Sequence, residues 1–391
     1  MKGRRWIFIL VVIVFLCLWV PMGTLEVSAE AQEPQQTLNE GILEQLEMLD
    51  VSELEDYLKT LGLNDGQTLK DRLMEFIGGG GIEYEKFFQG ILDVLFQKIK
   101  HLLPSFAAIA AIALMCGILN SLQSKFLGES TAKIVFFVAY LGALIPLLGV
   151  FIECIEASKQ AVFSMRRQME LVFPIMLTLM AAIGGSVSVA IYKPSVLFLS
   201  NVLVGAIEQV VFPISIAIIV FSMVNNFFGE LKTEKISAFF KSINKWIMGV
   251  GAAVFGLFFT IQGIGAATYD GILKRAAKYA IGTGVPIVGG LLSGGFDLAV
   301  AGSVLIKNSL GNFSLLILFF VLFEPLTLLI AVNLLLRMTS AITQPFGESK
   351  VSSFLEESAN NLNYFVAGLL FTAFLYFVVI LLMVCTSEVL I

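Results

Sequence analysis

The sequence predicts an all-α fold: a polytopic transmembrane helix bundle of seven or eight spans, preceded by a short extracytoplasmic helical segment. Three observations predict it. Of 391 residues, 57% are hydrophobic and only 14% charged, whereas soluble domains carry about 25% charged residues. A soluble fold of this size has no way to hide so much apolar surface, and lipid is the solvent in which it is stable. The apolar residues also gather in long runs, most near the roughly 20 residues that a bilayer needs. Finally, the chain opens on an export leader.

Met1–Ala29 reads as a signal peptide. Lys2, Arg4 and Arg5 form a basic region and Trp6–Val20 an apolar one. Pro21 and Gly23 then break the helix, and Val27-Ser28-Ala29 offers small residues for cleavage. The short apolar region and the small-residue exit favour cleavage over an uncleaved anchor. Residues 30–101 hold most of the formal net charge of -5 and form an acidic extracytoplasmic helical segment. Within it Leu43, Leu46, Leu49/Leu54, Leu58 and Leu61 recur at helical spacing, and a second short helix is expected near Leu69–Ile77. Gly78–Gly81 is a hinge, since each glycine costs a helix about 1 kcal/mol relative to alanine. A third amphipathic helix follows near Tyr84–Lys100, with Phe87, Phe88, Ile91, Leu95 and Ile99 on its apolar side. This segment is too small for a core of its own and should pack on a partner or on the membrane surface.

Residues 102–391 form the transmembrane helical domain. Its apolar runs are Leu102–Leu122, Ile134–Ile152, Leu171–Tyr192, Val196–Val224, Ile247–Thr268, Ile281–Ile306, Ser314–Leu336 and Tyr364–Cys385. The fourth is long and carries Glu208 and Pro213, which makes it a kinked span or a pair of half-helices. Lys and Arg balance between alternate loops, so charge does not orient the domain. Ala157–Glu170 and Leu231–Trp246 read as interfacial amphipathic helices or as ordinary loops between spans.

Composition excludes most catalytic schemes. The single histidine, His101, rules out a paired-histidine metal site and leaves no plausible Ser-His-Asp triad. No phosphate-binding Gly-Lys-Ser/Thr loop is present, and the four cysteines fit no metal spacing, so no cofactor or metal is expected. Basic patches with interleaved aromatics are missing, which argues against nucleic acid as a partner. Tyr269-Asp270 with Gly294-Gly295-Phe296-Asp297 comes near the intramembrane aspartyl protease pattern, but Phe296 stands where that pattern needs glycine.

What remains is polar chemistry inside apolar runs. Glu208, Asp297 and Glu324 form a candidate intramembrane polar pathway, because a carboxylate at mid-bilayer is costly and usually faces the bundle interior or water. No Lys or Arg lies deep in a run to pair with them. The alternative for each is a structural hydrogen bond to a neighbouring helix. Gly290, Gly294 and Gly295, in the most glycine-rich run, are candidate helix-packing residues, for packing within the chain or for self-association.

The chain resembles the stage III sporulation protein AE family of spore-forming Firmicutes. The resemblance rests on Pro174–Val196, ending at Lys193-Pro194, and above all on Lys241–Gly311. The latter block runs through Gln262-Gly263, Tyr269-Asp270-Gly271, Ala276-Ala277-Lys278-Tyr279, Val285-Pro286-Ile287-Val288-Gly289 and Lys307-Asn308-Ser309-Leu310-Gly311. The resemblance implies a non-enzymatic component of a channel or secretion complex that joins mother cell and forespore and is needed for late forespore sigma-factor activity. It implies the other membrane proteins of that complex as partners, in the mother-cell membrane around the forespore. The rival reading is a stand-alone cation-coupled secondary transporter using the intramembrane carboxylates.

The leader gives the first prediction. Cleavage follows Ala29, so N-terminal sequencing of membrane-extracted protein reads Glu30 first. A mature chain beginning at Met1 refutes it.

Overall fold

The computed structural model describes residues 41–61, 68–77, 84–126, 129–183, 195, 198–228, 234–258, 289–346 and 349–385. Among these, every regular element is helical. We number the helices α1 (41–48), α2 (Ser52–Thr60), α3 (Leu69–Ile77), α4 (Tyr84–Phe126), α5 (Glu129–Ala182), α6 (198–228), α7 (234–258), α8 (Gly289–Thr343) and α9 (Ser349–Cys385). The leader, residues 30–40 and the hinge Gly78–Gly81 lie outside the described residues, as does the 259–288 stretch of the Lys241–Gly311 block.

The amphipathic pattern of the N-terminal segment is realised with one break. Asp50 interrupts the leucine repeat and accepts from both the backbone N–H and the hydroxyl of Ser52, at 3.2 and 2.6 Å, so α2 starts afresh there. These bonds hold its carboxyl below the usual range. Thr68 and Asp71 form a reciprocal cap on α3: Thr68 donates its N–H and hydroxyl to the carboxylate, and the Asp71 N–H returns to Thr68 Oγ1. The buried stripe is Ile42, Leu46, Leu54, Tyr57, Leu58, Leu69 and Leu73, while Leu43 turns outward. That stripe belongs to the same apolar core as Leu102, Phe106 and the long helices. The buried leucines of the segment are thus covered by the bundle of their own chain.

The long helices depart from the sequence reading. The second and third apolar runs were expected as separate spans, but the second and the first twelve residues of the third, 171–182, lie on α5, 54 residues long. Between them Glu153–Glu170 is polar yet contains neither glycine nor proline, so hydropathy falls while helix propensity does not. The described part of the sixth run, 289–306, likewise joins the seventh in α8, 55 residues long. Leu231–Trp246 is no separate interfacial loop either, since α7 runs unbroken from 234 to 258. At 1.5 Å per residue α5 and α8 each reach about 80 Å, well beyond one hydrocarbon layer of about 30 Å. Four stretches among the described residues are long and apolar enough to cross a membrane: Asp93–Met115, Phe198–Asn225, Val300–Thr343 and Val351–Val384.

α8 and α9 form the central antiparallel hairpin, turned through the 3-10 segment Gln344–Phe346. Cross-pairs mark its register outward from the turn. Ser340 Oγ donates to Ser352 O at 2.9 Å, Asn333 Nδ2 to Ala359 O at 2.5 Å, and Lys307 Nζ to Met383 O at 2.7 Å. α4, α5 and α6 pack around this hairpin. In α6 the helix widens into a π turn at Ile207–Val211, just ahead of Pro213. The fourth run is thus one helix with a local register shift, which absorbs the donor that proline lacks.

Small residues set the closest approaches. A Cβ on Gly368 of α9 would stand 2.7 Å from Phe212 Cε1 of α6. Phe212 has no room to retreat, being fully buried with its ring 5.1 Å from that of Phe365. Gly368→Ala is therefore expected to cost about 1–3 kcal/mol, as overpacking does. Gly249→Ala in α7, with nothing within 4 Å, should cost nothing. Thermal unfolding of the two detergent-purified variants checks the contrast, and equal Tm values would refute it.

Candidate functional site

The polar stretch in the middle of α5 is where the elements meet. Ser164 presents its carbonyl to the hydroxyl of Tyr57 in α2, at 2.8 Å. Burial drives the Tyr57 phenol upward from its ordinary pKa. Arg167 reaches Glu53 of α2 at 3.5 Å and Glu170 of its own helix at 3.8 Å. Gln168 Nε2 donates to Ser314 O of α8 at 2.6 Å. Arg166 Nη2 stands 2.6 Å from Glu208 Oε2, within the π turn of α6. Tyr376 of α9 lies beside Arg166 and within electrostatic reach of Glu208 and Glu170. Less than two helical turns of α5 thus touch the acidic segment, α6, α8 and α9.

Local structure explains the Arg166–Glu208 contact. The π turn inserts an extra residue's worth of rotation, which re-aims side chains relative to a regular helix. Side chains of Arg166 and Glu208 remain 25% and 21% exposed, so the pair is largely but not wholly desolvated. Their charges cancel locally, which offsets the cost of holding either in apolar surroundings. The Nε of Arg166 has no hydrogen-bond partner among the described residues. Chemically the pair suits a fixed electrostatic joint between helices.

No Lys or Arg deep in an apolar run is available to the three carboxylates, and cations from outside those runs pair with two of them. Glu208 has Arg166, and Glu324 has Lys98 of α4 at 3.0 Å. Both cations lie outside the apolar runs in sequence, and only the stagger of the long helices brings them level. Glu324 is 72% exposed on the outer side of α8 and Lys98 28% exposed. The two carboxylates therefore sit in separate ion pairs, one within the bundle and one on its surface. Asp297, Gly290, Gly294 and Gly295 lie on α8, but their surroundings fall outside the described residues.

Lys307 was read only as part of a motif, and the structure gives it a role. It is fully buried and donates to the carbonyls of Met383 and Val384, both at 2.7 Å. Those carbonyls belong to the last described turn of α9. One turn on, Gly311 leaves the space that Val384 fills. Nearer the hairpin turn, Arg337 joins Asn333 at 2.8 Å and Asn360 at 2.9 Å. The alternation of asparagines at 360, 361 and 363 was the available signal for this ladder.

Comparison with known proteins adds the following. A model of the family described as stage III sporulation protein AE matches residues 67–387. A curated relative, the stage III sporulation protein AE of Bacillus subtilis (strain 168), is 25% identical over 382 residues, covering 96% of this chain and 96% of its own. No solved structure matches.

The joint yields a prediction. Glu208→Arg leaves two like charges facing each other and should destabilise the protein by about 2 kcal/mol, between the values for exposed and fully buried pairs. Combining it with Arg166→Glu should recover at least half of that loss. Thermal unfolding of both variants decides it, and a double variant no better than the single one refutes direct pairing.

Proposed function

Since the chain belongs to the stage III sporulation protein AE family, we propose that it is the multi-span membrane component of a complex joining mother cell and forespore. In this reading it is not an enzyme. It sits in the mother-cell membrane around the forespore, with residues 30–101 in the intermembrane space. Its partners are the other membrane proteins of the complex, through which late forespore sigma-factor activity is sustained.

The observation that carries the proposal is similarity to the Bacillus subtilis relative along 96% of both chains, acidic segment and helices together. The geometry is compatible with it. A long-helix bundle with an acidic segment built into its core suits a scaffold that presents one polar surface and inserts the rest in lipid. The rival transporter reading needs carboxylates free to bind and release a cation. Two of its three carboxylates are instead held by Arg166 and Lys98.

Deletion of the gene in its own spore-forming host tests the reading. Early forespore transcription should proceed, while a reporter of late forespore sigma activity stays silent and heat-resistant spores fall by orders of magnitude. Normal spore yield in the deletion strain would falsify the proposal.

A further inference from the structure

Apart from the joint just described, the bundle holds a second polar place, where α6, α7 and α9 meet. We propose that this junction is an internal hydration site, binding ordered water between Asn361 and Ser358 of α9 and Asn244 of α7.

The placement follows from helical spacing. Glu357, Asn361 and Phe365 recur every fourth residue and share one face of α9. Both outer members meet α6: Ser222 Oγ donates to Glu357, and the Phe365 ring lies 5.1 Å from that of Phe212. Asn361 therefore faces α6 between these two contacts. On α6, Ser215 lies on the same stripe as Phe212 and Ser222, which puts it opposite Asn361. Ser215 is also where α7 arrives, since Asn244 Nδ2 donates to its hydroxyl at 3.0 Å. Three helices thus bring amide and hydroxyl groups to one level.

The chemistry of the unmatched atoms identifies the ligand. Asn244, Ser358 and Asn361 are each fully buried. Asn361 Nδ2 and Oδ1, Ser358 Oγ and Asn244 Oδ1 have no hydrogen-bond partner among the described residues. Buried polar groups in folded proteins are satisfied by protein or by ordered water. The set contains both donors and acceptors, whichever way the amides are turned. A cation would answer the oxygens and leave the Asn361 N–H groups unmatched, and an anion would do the reverse. Water answers both. Half-buried Glu357, at the rim, marks the side from which water enters. The site stands independently of the sporulation reading. It joins three helices by bonds that water can remake when they shift.

Two measurements on the full-length chain test it. In lipid vesicles, water-edited solid-state NMR of protein labelled at asparagine nitrogen follows the side-chain amides, with that of Asn361 assigned by its loss in Asn361→Leu or Asn361→Ser. Its signal should build up from water as fast as that of exposed Asn360. Build-up no faster than that of buried core backbone amides in a uniformly nitrogen-labelled sample overturns the proposal. In thermal unfolding, Asn361→Leu should lower the Tm by several degrees, because it strands the remaining polar atoms and their water, while Asn361→Ser should stay close to the parent. A Tm for Asn361→Leu at or above the parent's overturns the proposal, because removing an unsatisfied amide from a water-free core is neutral or stabilising. Should Asn361→Leu fail to fold, Ser358→Ala is read in the same way: a lower Tm supports the site and an unchanged or higher one overturns it.

Discussion

The contact between Arg166 and Glu208 joins α5 to α6. In an apolar bundle a charge finds no solvent to fall back on, so the pair constrains both of its helices at once. It ties the mid-point of α5 to the π turn of α6. Through the neighbouring residues Ser164 and Gln168, that same stretch is tied to α2 and α8. The depth of the acidic segment on the bundle, and the level at which α6 crosses α5, both follow from where this pair sits.

The hairpin of α8 and α9 obeys the same constraint at its two ends. Near the turn, Arg337 is held by Asn333 and Asn360, and Ser340 by Ser352. At the far end Lys307 donates to the carbonyls of Met383 and Val384 in α9. Between these polar ends the contact is apolar and close, with Gly311 beneath Val384. In lipid, where burial of apolar surface gives little drive to helix association, such close approach and a few internal hydrogen bonds are what hold two helices in register.

Much of this was legible in the sequence. All-helical character followed from the apolar runs, and α3 was anticipated at its observed limits, Leu69–Ile77. Span boundaries were less legible, because hydropathy and helix propensity are different quantities. Glu153–Glu170 is polar enough to resemble a loop, yet every residue in it tolerates a helix. The cation partners were hidden for a related reason. Arg166 and Lys98 lie 42 and 226 residues from their carboxylates, and no local pattern relates positions joined only by helix stagger. Glycine gave a mixed signal: Gly302 does admit a neighbour closely, but that neighbour is Gln45 of the acidic segment.

That last contact bears on how the segment works. Ser303 donates to Gln45 at 3.0 Å beside Gly302, and Tyr57 donates to Ser164 some distance away on α5. The segment is therefore anchored at two points on two different helices, with its leucines filling the space between them. A segment attached only through its hinge could be displaced by a partner at little cost. This one can move only if Ile42, Leu46, Leu54 and Leu58 are exposed together or if α5 and α8 move with it. Exposing those side chains to water costs about 1.5–3 kcal/mol each, more than a single surface contact supplies. A force or a ligand acting on the acidic face is thus transmitted to α5 and α8, and through Arg166 and Gln168 to the rest of the bundle.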